Sequence, residues 1–302
     1  MNIELLLQAL MPFFTLAGAG YLLGRLRHID PRPLAEVCLY ILMPLLLFTS
    51  LVRNPLTGGE AALLLGWYLS AVVLAGALAW AAGRLAGWDR ATRSAVLLSM
   101  TNFNMGSYGI PVVLFALGDQ ALSGMMLLLV YNEIMSSSLG VYIAAASRQN
   151  LRQALASVFR LPLIYAVLLA LLVHALSLSL PPALLVAGES IGKAGPLVST
   201  VVLGLQLANI PLRGQLSATL GASLVLRVLA VPALGVGLAL MLGAQGLMLQ
   251  LLLVCACLPT AINVLLLAVR FDTRPELLTG ILLGSTLSSP LAIAAVLAWL
   301  GA

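Results

Sequence analysis

The sequence predicts an all-α, polytopic membrane protein of ten transmembrane helices, arranged as two inverted five-helix repeats with helices 4 and 9 broken near mid-membrane. Three observations predict it. The chain is too apolar for water. Ten apolar runs of membrane-spanning length divide it. Two of those runs, at matching places in the two halves, carry polar and helix-breaking residues.

Of the 302 residues, 62% are hydrophobic and 8% are charged, and the mean hydropathy is +1.10. A soluble domain carries about 25% charged residues, so this chain cannot cover a soluble surface, and the lipid bilayer is its expected surrounding. The net charge of +5 does not indicate a nucleic-acid partner, because the basic residues sit singly in short loops and do not cluster on one face. Cys38, Cys255 and Cys257 lie in apolar runs and read as small buried hydrophobes. His28 and His174 lack metal-ligand spacing, so neither a metal nor a cofactor is expected. At the amino terminus the positive charges follow the apolar stretch, the reverse of a cleavable signal. That stretch reads as a first transmembrane helix with its amino terminus outside.

A span needs about 20 mostly apolar residues. The runs are 3–24, 34–52, 61–83, 92–117, 121–146, 161–179, 183–208, 217–242, 247–269 and 276–300. The loops are short, and the longest, 147–160, is expected to form a helix in the membrane interface. Orientation follows from Lys and Arg in the loops. The odd-numbered loops hold twelve Arg (25, 27, 32, 84, 90, 93, 148, 152, 160, 213, 270 and 274), and the even-numbered loops hold only Arg53. Both termini are therefore expected outside, with the odd loops cytoplasmic.

The boundary at 160/161 divides the chain into repeats 1–160, including the linker 147–160, and 161–302. Five is odd, so two copies of the unit must sit upside down relative to each other. Pro12, Pro31, Pro44, Pro55 and Pro111 in the first half answer to Pro162, Pro181, Pro196, Pro211 and Pro259 in the second, and MPFFTLAGAG stands beside LPLIYAVLLA. Inverted repeats are a hallmark of secondary transporters.

Span 4 carries TNFNMGSYGIP at 101–111 and span 9 carries CLPTAIN at 257–263. Irregular backbone at bilayer depth is tolerated only where it is buried in protein or lines a wet cavity. Pro is favoured at the first position of a helix, so Pro111 and Pro259 are expected to start the second halves of two broken helices. Each new amino-terminal end exposes unpaired N–H groups and the positive end of a dipole, and two such ends suit a carboxylate. Gly106 and Gly109 allow close backbone approach. Asn102, Asn104 and Asn263 supply amide donors and acceptors, and Tyr108 and Thr260 complete the candidate substrate-binding set. The competing reading is a pair of proline-kinked helices packed through glycine, with Asn as interhelical glue.

Ionisable groups inside spans are functional candidates by default. Glu133 lies in YNEIMSSS of span 5 with Asn132, Ser136 and Ser137 near it, a candidate proton or cation site. Glu189 and Lys193 stand four apart on span 7, the spacing of a mutually neutralised pair. Arg227, inside span 8, is expected to snorkel or to pair with Glu133.

NFNMGSYGIP resembles the Asn/Gly/Pro motif in segment 4 of the auxin efflux carrier family. LVAGESIGKAGPLVSTVVLGLQLA, Arg227-x4-Pro232 and LPTAINVLLLAVRFDTRPELLTGILLGSTLSSPLA are similar to it too, so the likeness spans the chain. The resemblance implies the fold of sodium/proton antiporters and bile-acid symporters. A panel domain (helices 1, 2, 6 and 7) and a core domain (helices 3–5 and 8–10) would meet at the 4/9 crossing. Bacterial members are linked to malonate, malate and other small organic acids, and the plant PIN members to auxin. The chain lacks the long cytoplasmic loop of many plant members, which implies a short permease of the bacterial inner membrane. Sodium-coupled relatives place a Glu in segment 9, and this chain has none there.

The leading expectation is a secondary transporter for a small organic anion, working by alternating access. Uniport, proton coupling and sodium coupling stay open, as does a homodimer. The alternatives are a sodium-coupled bile-acid-symporter-like carrier, a receptor or channel on the same fold, and an intramembrane enzyme. For the last, the spans offer only scattered Ser and an isolated His; no His-Glu-x-x-His, Gly-x-Ser-x-Gly or Walker pattern occurs.

Overall fold

The computed structural model describes residues 3–140, 143, 161–209, 217–271 and 273–299. The expected interfacial helix 147–160, the end of span 5 and the loop holding Arg213 lie outside the described residues. In chain order the helices are α1 (Ile3–Arg27), α2 (Arg32–Arg53), α3 (Gly58–Leu85), α4 (Arg90–Thr101) and α5 (Met105–Leu117). Next come α6 (Leu122–Met135, continued by Ser136–Gly140), α7 (Pro162–Ala175), α8 (Pro182–Asn209) and α9 (Ala218–Met241). The last three are α10 (Gly246–Ala256), α11 (Asn263–Phe271) and α12 (Pro275–Trp299). No β-strand occurs among the described residues.

Five of these helices, α2, α3, α8, α9 and α12, run 22 to 28 residues and are long and apolar enough to cross a membrane. At 1.5 Å per residue they exceed the roughly 30 Å of a bilayer core. α5, α7 and α10 are shorter apolar helices.

Helix starts follow local chemistry. α3 opens on a reciprocal capping box, in which the Glu60 N–H donates to Thr57 Oγ1 at 3.2 Å and the Thr57 N–H to Glu60 Oε2 at 2.8 Å. Asp89 caps α4 by accepting from the Thr92 N–H at 2.8 Å, and Ser217 caps α9 by accepting from the Leu220 N–H at 3.1 Å. Pro162 and Pro182 stand in the first turns of α7 and α8, where a missing N–H costs nothing.

Widened π turns occur within α2 at Cys38–Leu42 and within α9 at Leu226–Ala230, at the start of α5 at Met105–Gly109, and after Met135 at Ser136–Gly140. Three of them end two residues before a proline: Pro44, Pro111 and Pro232. A proline supplies no N–H and its ring crowds the carbonyl one turn back. The preceding turn widens to keep its hydrogen bonds. α8 answers Pro196 differently, with a one-residue interruption at Lys193.

α1 lies along α8 at backbone contact. A Cβ on Gly20 would collide with the Val201 carbonyl, and one on Gly204 with the Ala17 carbonyl. Gly192 of α8 packs as tightly on α2, where a Cβ would stand 2.6 Å from the Leu46 nitrogen. Trp67 of α3 donates to the Gly235 carbonyl of α9 at 2.8 Å. Small residues let backbones approach where lipid offers no hydrophobic drive between helices.

The outward faces are large and apolar, with Leu168, Leu171, Leu172, Leu229, Leu287 and Leu291 all exposed. Such a surface belongs in lipid. The inside is α6, buried from Leu122 to Val130, and α10, buried from Leu251 to Ala256. Both stand beside the two helix interruptions, whose polar backbone is thereby shielded from lipid.

Candidate functional site

α4 stops at Thr101. Asn102, at φ −119° and ψ 118°, is extended, and α5 begins at Met105. α10 stops at Ala256, and the chain is non-helical to Ile262. The two interruptions meet as a short antiparallel pair centred on Phe103 and Thr260. The Asn104 N–H donates to the Pro259 carbonyl at 2.8 Å, and the Ala261 N–H to the Asn102 carbonyl at 3.1 Å.

Neighbouring helices satisfy several of the polar groups that remain. Thr260 donates its hydroxyl to the Ser99 carbonyl at 3.1 Å and receives its own N–H partner from α12, Ser285 Oγ, at 3.2 Å. Ser289 of α12 donates to the Cys257 carbonyl at 2.7 Å. Asn132 Oδ1 of α6 accepts from the Phe103 N–H at 3.2 Å and from the Tyr68 hydroxyl at 3.3 Å. Unmade buried hydrogen bonds cost about 1–3 kcal/mol each, so this network is what lets two helices stop inside an apolar body.

Beside the pair lies a cavity of about 140 Å³. Asn104, Gly106, Asn132, Glu133, Gln206 and Asn263 are among the side chains and backbone that line it, together with apolar residues of α2, α7 and α8. Two buried amide atoms on this lining, Asn104 Nδ2 and Gln206 Oε1, have no hydrogen-bond partner among the described residues. Native proteins rarely leave such atoms unpaired.

The structure thus brings Asn104, Gly106, Asn132, Glu133 and Asn263 to one cavity. The other expected site residues stand elsewhere. Asn102 turns back into α4, donating to the Leu98 carbonyl at 3.0 Å and Thr101 Oγ1 at 3.1 Å, and its Oδ1 is unpartnered. Tyr108 points to the opposite side, packing on Phe13 at 4.5 Å between ring centroids and lining an apolar groove of about 690 Å³ between α1, α8 and α12. Gly109 sits where a Cβ would come within 2.6 Å of Met125 and 2.8 Å of Leu258. Ser136 is buried one turn beyond Asn132, away from the cavity lining. Glu189 and Lys193 line a separate small pocket with Arg53 and Asp119.

Pro111 occupies the first turn of the regular helix Ile110–Leu117, as expected, after the π turn that opens α5 at Met105. Two expectations need correction. Pro259 starts no helix: it sits in the extended stretch and lends its carbonyl to Asn104, and α11 opens at Asn263. Pairing across the interruption binds the residue a proline would otherwise have placed in a first turn. Arg227 neither snorkels nor pairs with Glu133. It is 2% exposed, with Nη1 3.0 Å from the Met100 carbonyl and Nη2 2.8 Å from the Leu258 carbonyl. Gln206 went unnoticed in sequence, although an amide in the apolar run VVLGLQLAN is a visible signal.

A family model described as "Membrane transport protein" matches residues 5–297. The chain belongs to this family. The auxin efflux carrier likeness read from the Asn/Gly/Pro motif therefore holds for nearly the whole chain. An uncharacterized transporter of Methanothermobacter thermautotrophicus is 26% identical over 287 residues, covering 93% of this chain and 94% of that protein. Membership in the membrane transport protein family, with long apolar helices, makes this an integral multi-pass membrane protein and a transporter.

Proposed function

We propose that the protein is a secondary transporter that moves a small organic anion, a carboxylate, by alternating access at the meeting of the two helix interruptions. The observation that carries this reading is the pairing of Asn104 with Pro259 beside a cavity that holds an unpartnered Asn104 amide. The first turns of α5 and α11 add N–H groups without helical partners and two positive dipole ends. A carboxylate can take up both, as anions do at helix amino termini.

The ten-helix inverted repeat is part of the same proposal. It is supported by interruptions that fall at matching places in the two halves and run antiparallel where they meet, as two copies of one unit must when one is upside down. The close packing of α1 and α2 on α8 suits a panel body, with α3–α6 and α9–α12 as the body that moves against it. Glu133, on the cavity lining, is the proposed proton site, with Asn132 beside it.

The test is Asn104→Ala in proteoliposomes, after a thermal-shift screen of mono- and dicarboxylates on the purified protein has supplied the substrate. Loss of one hydrogen bond to a charged group weakens binding about tenfold or more, with thermal unfolding unchanged. Unaltered uptake counts against the crossing as the site.

A further inference from the structure

The proposed anion site uses the amino-terminal ends of α5 and α11. The opposite ends, the carboxyl-terminal ends of α4 and α10, lie at the same crossing, carry negative dipole charge and turn carbonyls without α-helical partners toward side chains. Arg227 stands between them. Its guanidinium donates to Met100, the penultimate residue of α4, and to Leu258, two residues beyond α10. The plane lies over the Phe103 ring, 4.6 Å from its centroid. Arg227 sits within the π turn Leu226–Ala230, which ends two residues before Pro232, and its side chain is buried.

A cation this deeply buried normally sits against a carboxylate. None of the ion pairs among the described residues includes Arg227. Its counter-charge is the backbone itself. Each helix end carries about −0.5 elementary charge, so two ends balance one guanidinium. The planar fork is also the only cationic side chain that reaches two carbonyls at once in fixed geometry.

We propose that Arg227 is the built-in counter-cation of the crossing. It is a positioning residue that ties the carboxyl-terminal ends of both broken helices together, so that their amino-terminal ends keep an uncancelled positive charge for an anion. The positive charge is then part of the chain, and no bound metal cation is needed for it. The inference rests on the transport reading for its consequence and on the Arg227 contacts alone for its geometry.

The test uses the purified full chain. Arg227→Ala removes the guanidinium and leaves room for a free one. Its unfolding midpoint falls by about 5 °C or more and is restored, saturably, by millimolar guanidinium chloride and not by equal potassium chloride. Arg227→Lys keeps the charge without the fork, so it recovers part of the stability and does not respond to guanidinium. In proteoliposomes, wild-type uptake of radiolabelled malonate is equal in sodium, potassium and choline media, and uptake by Arg227→Ala rises about tenfold or more with guanidinium. A merely structural arginine gives no such rescue of uptake. Failure of guanidinium to restore stability, failure of Arg227→Ala to fold even when purified in guanidinium, or wild-type uptake that stops in choline each overturns the assignment. Absence of both malonate uptake and any carboxylate thermal shift strikes the transport reading instead, and the guanidinium effect on stability still decides Arg227.

Discussion

Lys193 of α8 reaches Asp119, in the turn between α5 and α6, with Nζ 2.7 Å from Oδ2. The same ammonium lies 2.9 Å from Glu189 on its own helix, and Glu189 is 2.9 Å from Arg53 at the end of α2. The four charges form a chain that links α2 and α8 to the turn between α5 and α6. On the orientation that the loop arginines predict, this chain lies on the outer side of the membrane.

Breaking the link should favour an outward-open state. Exposed ion pairs are worth about 0–1 kcal/mol, which is at most about a fivefold change in population. Asp119→Asn is therefore expected to raise the labelling rate of a Ser50→Cys reporter by a membrane-impermeant maleimide, by up to that factor. Ser50 is buried and lines the pocket beneath the charges. An unchanged rate means the chain of charges is decoration on a contact held by packing.

Glu133 faces the same cavity as Asn104. An ionised carboxylate there repels an incoming anion, and a protonated one does not. Uptake by the wild type should therefore rise as pH falls. Glu133→Gln fixes the neutral form, so its uptake should stay high and flat across the same range. A pH profile retained in the variant removes Glu133 from any coupling role.

Asp89 offers a stability test away from the bilayer. Hydrogen bonds from Thr92 and then from Arg274, whose Nη2 is 2.5 Å away, hold its carboxyl down from 3.8 to about 2. The lowered value means that the folded state favours the ionised form. The contribution is complete above the unfolded value near pH 4 and is lost as pH falls through about 2. Asp89→Ala should cost about 1 kcal/mol at neutral pH, as helix-cap losses do. The gap in unfolding midpoint between it and the wild type should narrow as pH approaches 2.

The candidate site was partly legible. Asn104, Gly106, Asn132, Glu133 and Asn263 stand out as polar or turn-forming residues in apolar runs, because lipid penalises such residues whatever their partners. Arg227 stands out for the same reason, but its partners are main-chain carbonyls, which have no sequence signature. Pro111 and Pro259 look alike in sequence and end in different conformations, because one is followed by a free helix and the other is held by a strand-like pair. Tyr108 belongs to the motif by position and faces the other side of the helix from Gly106, since residues two apart on a helix point to nearly opposite sides.

Amino-acid sequence alone determined that this chain lives in a membrane and where its helices must stop. Apolar length and proline placement act locally and need no knowledge of neighbours. Only the tertiary structure decided that the two stops pair with each other, that Arg227 bridges their carbonyls and that Lys193 is shared with Asp119. Those contacts join residues up to about 160 positions apart, and their energy depends on the distance and burial that packing alone sets.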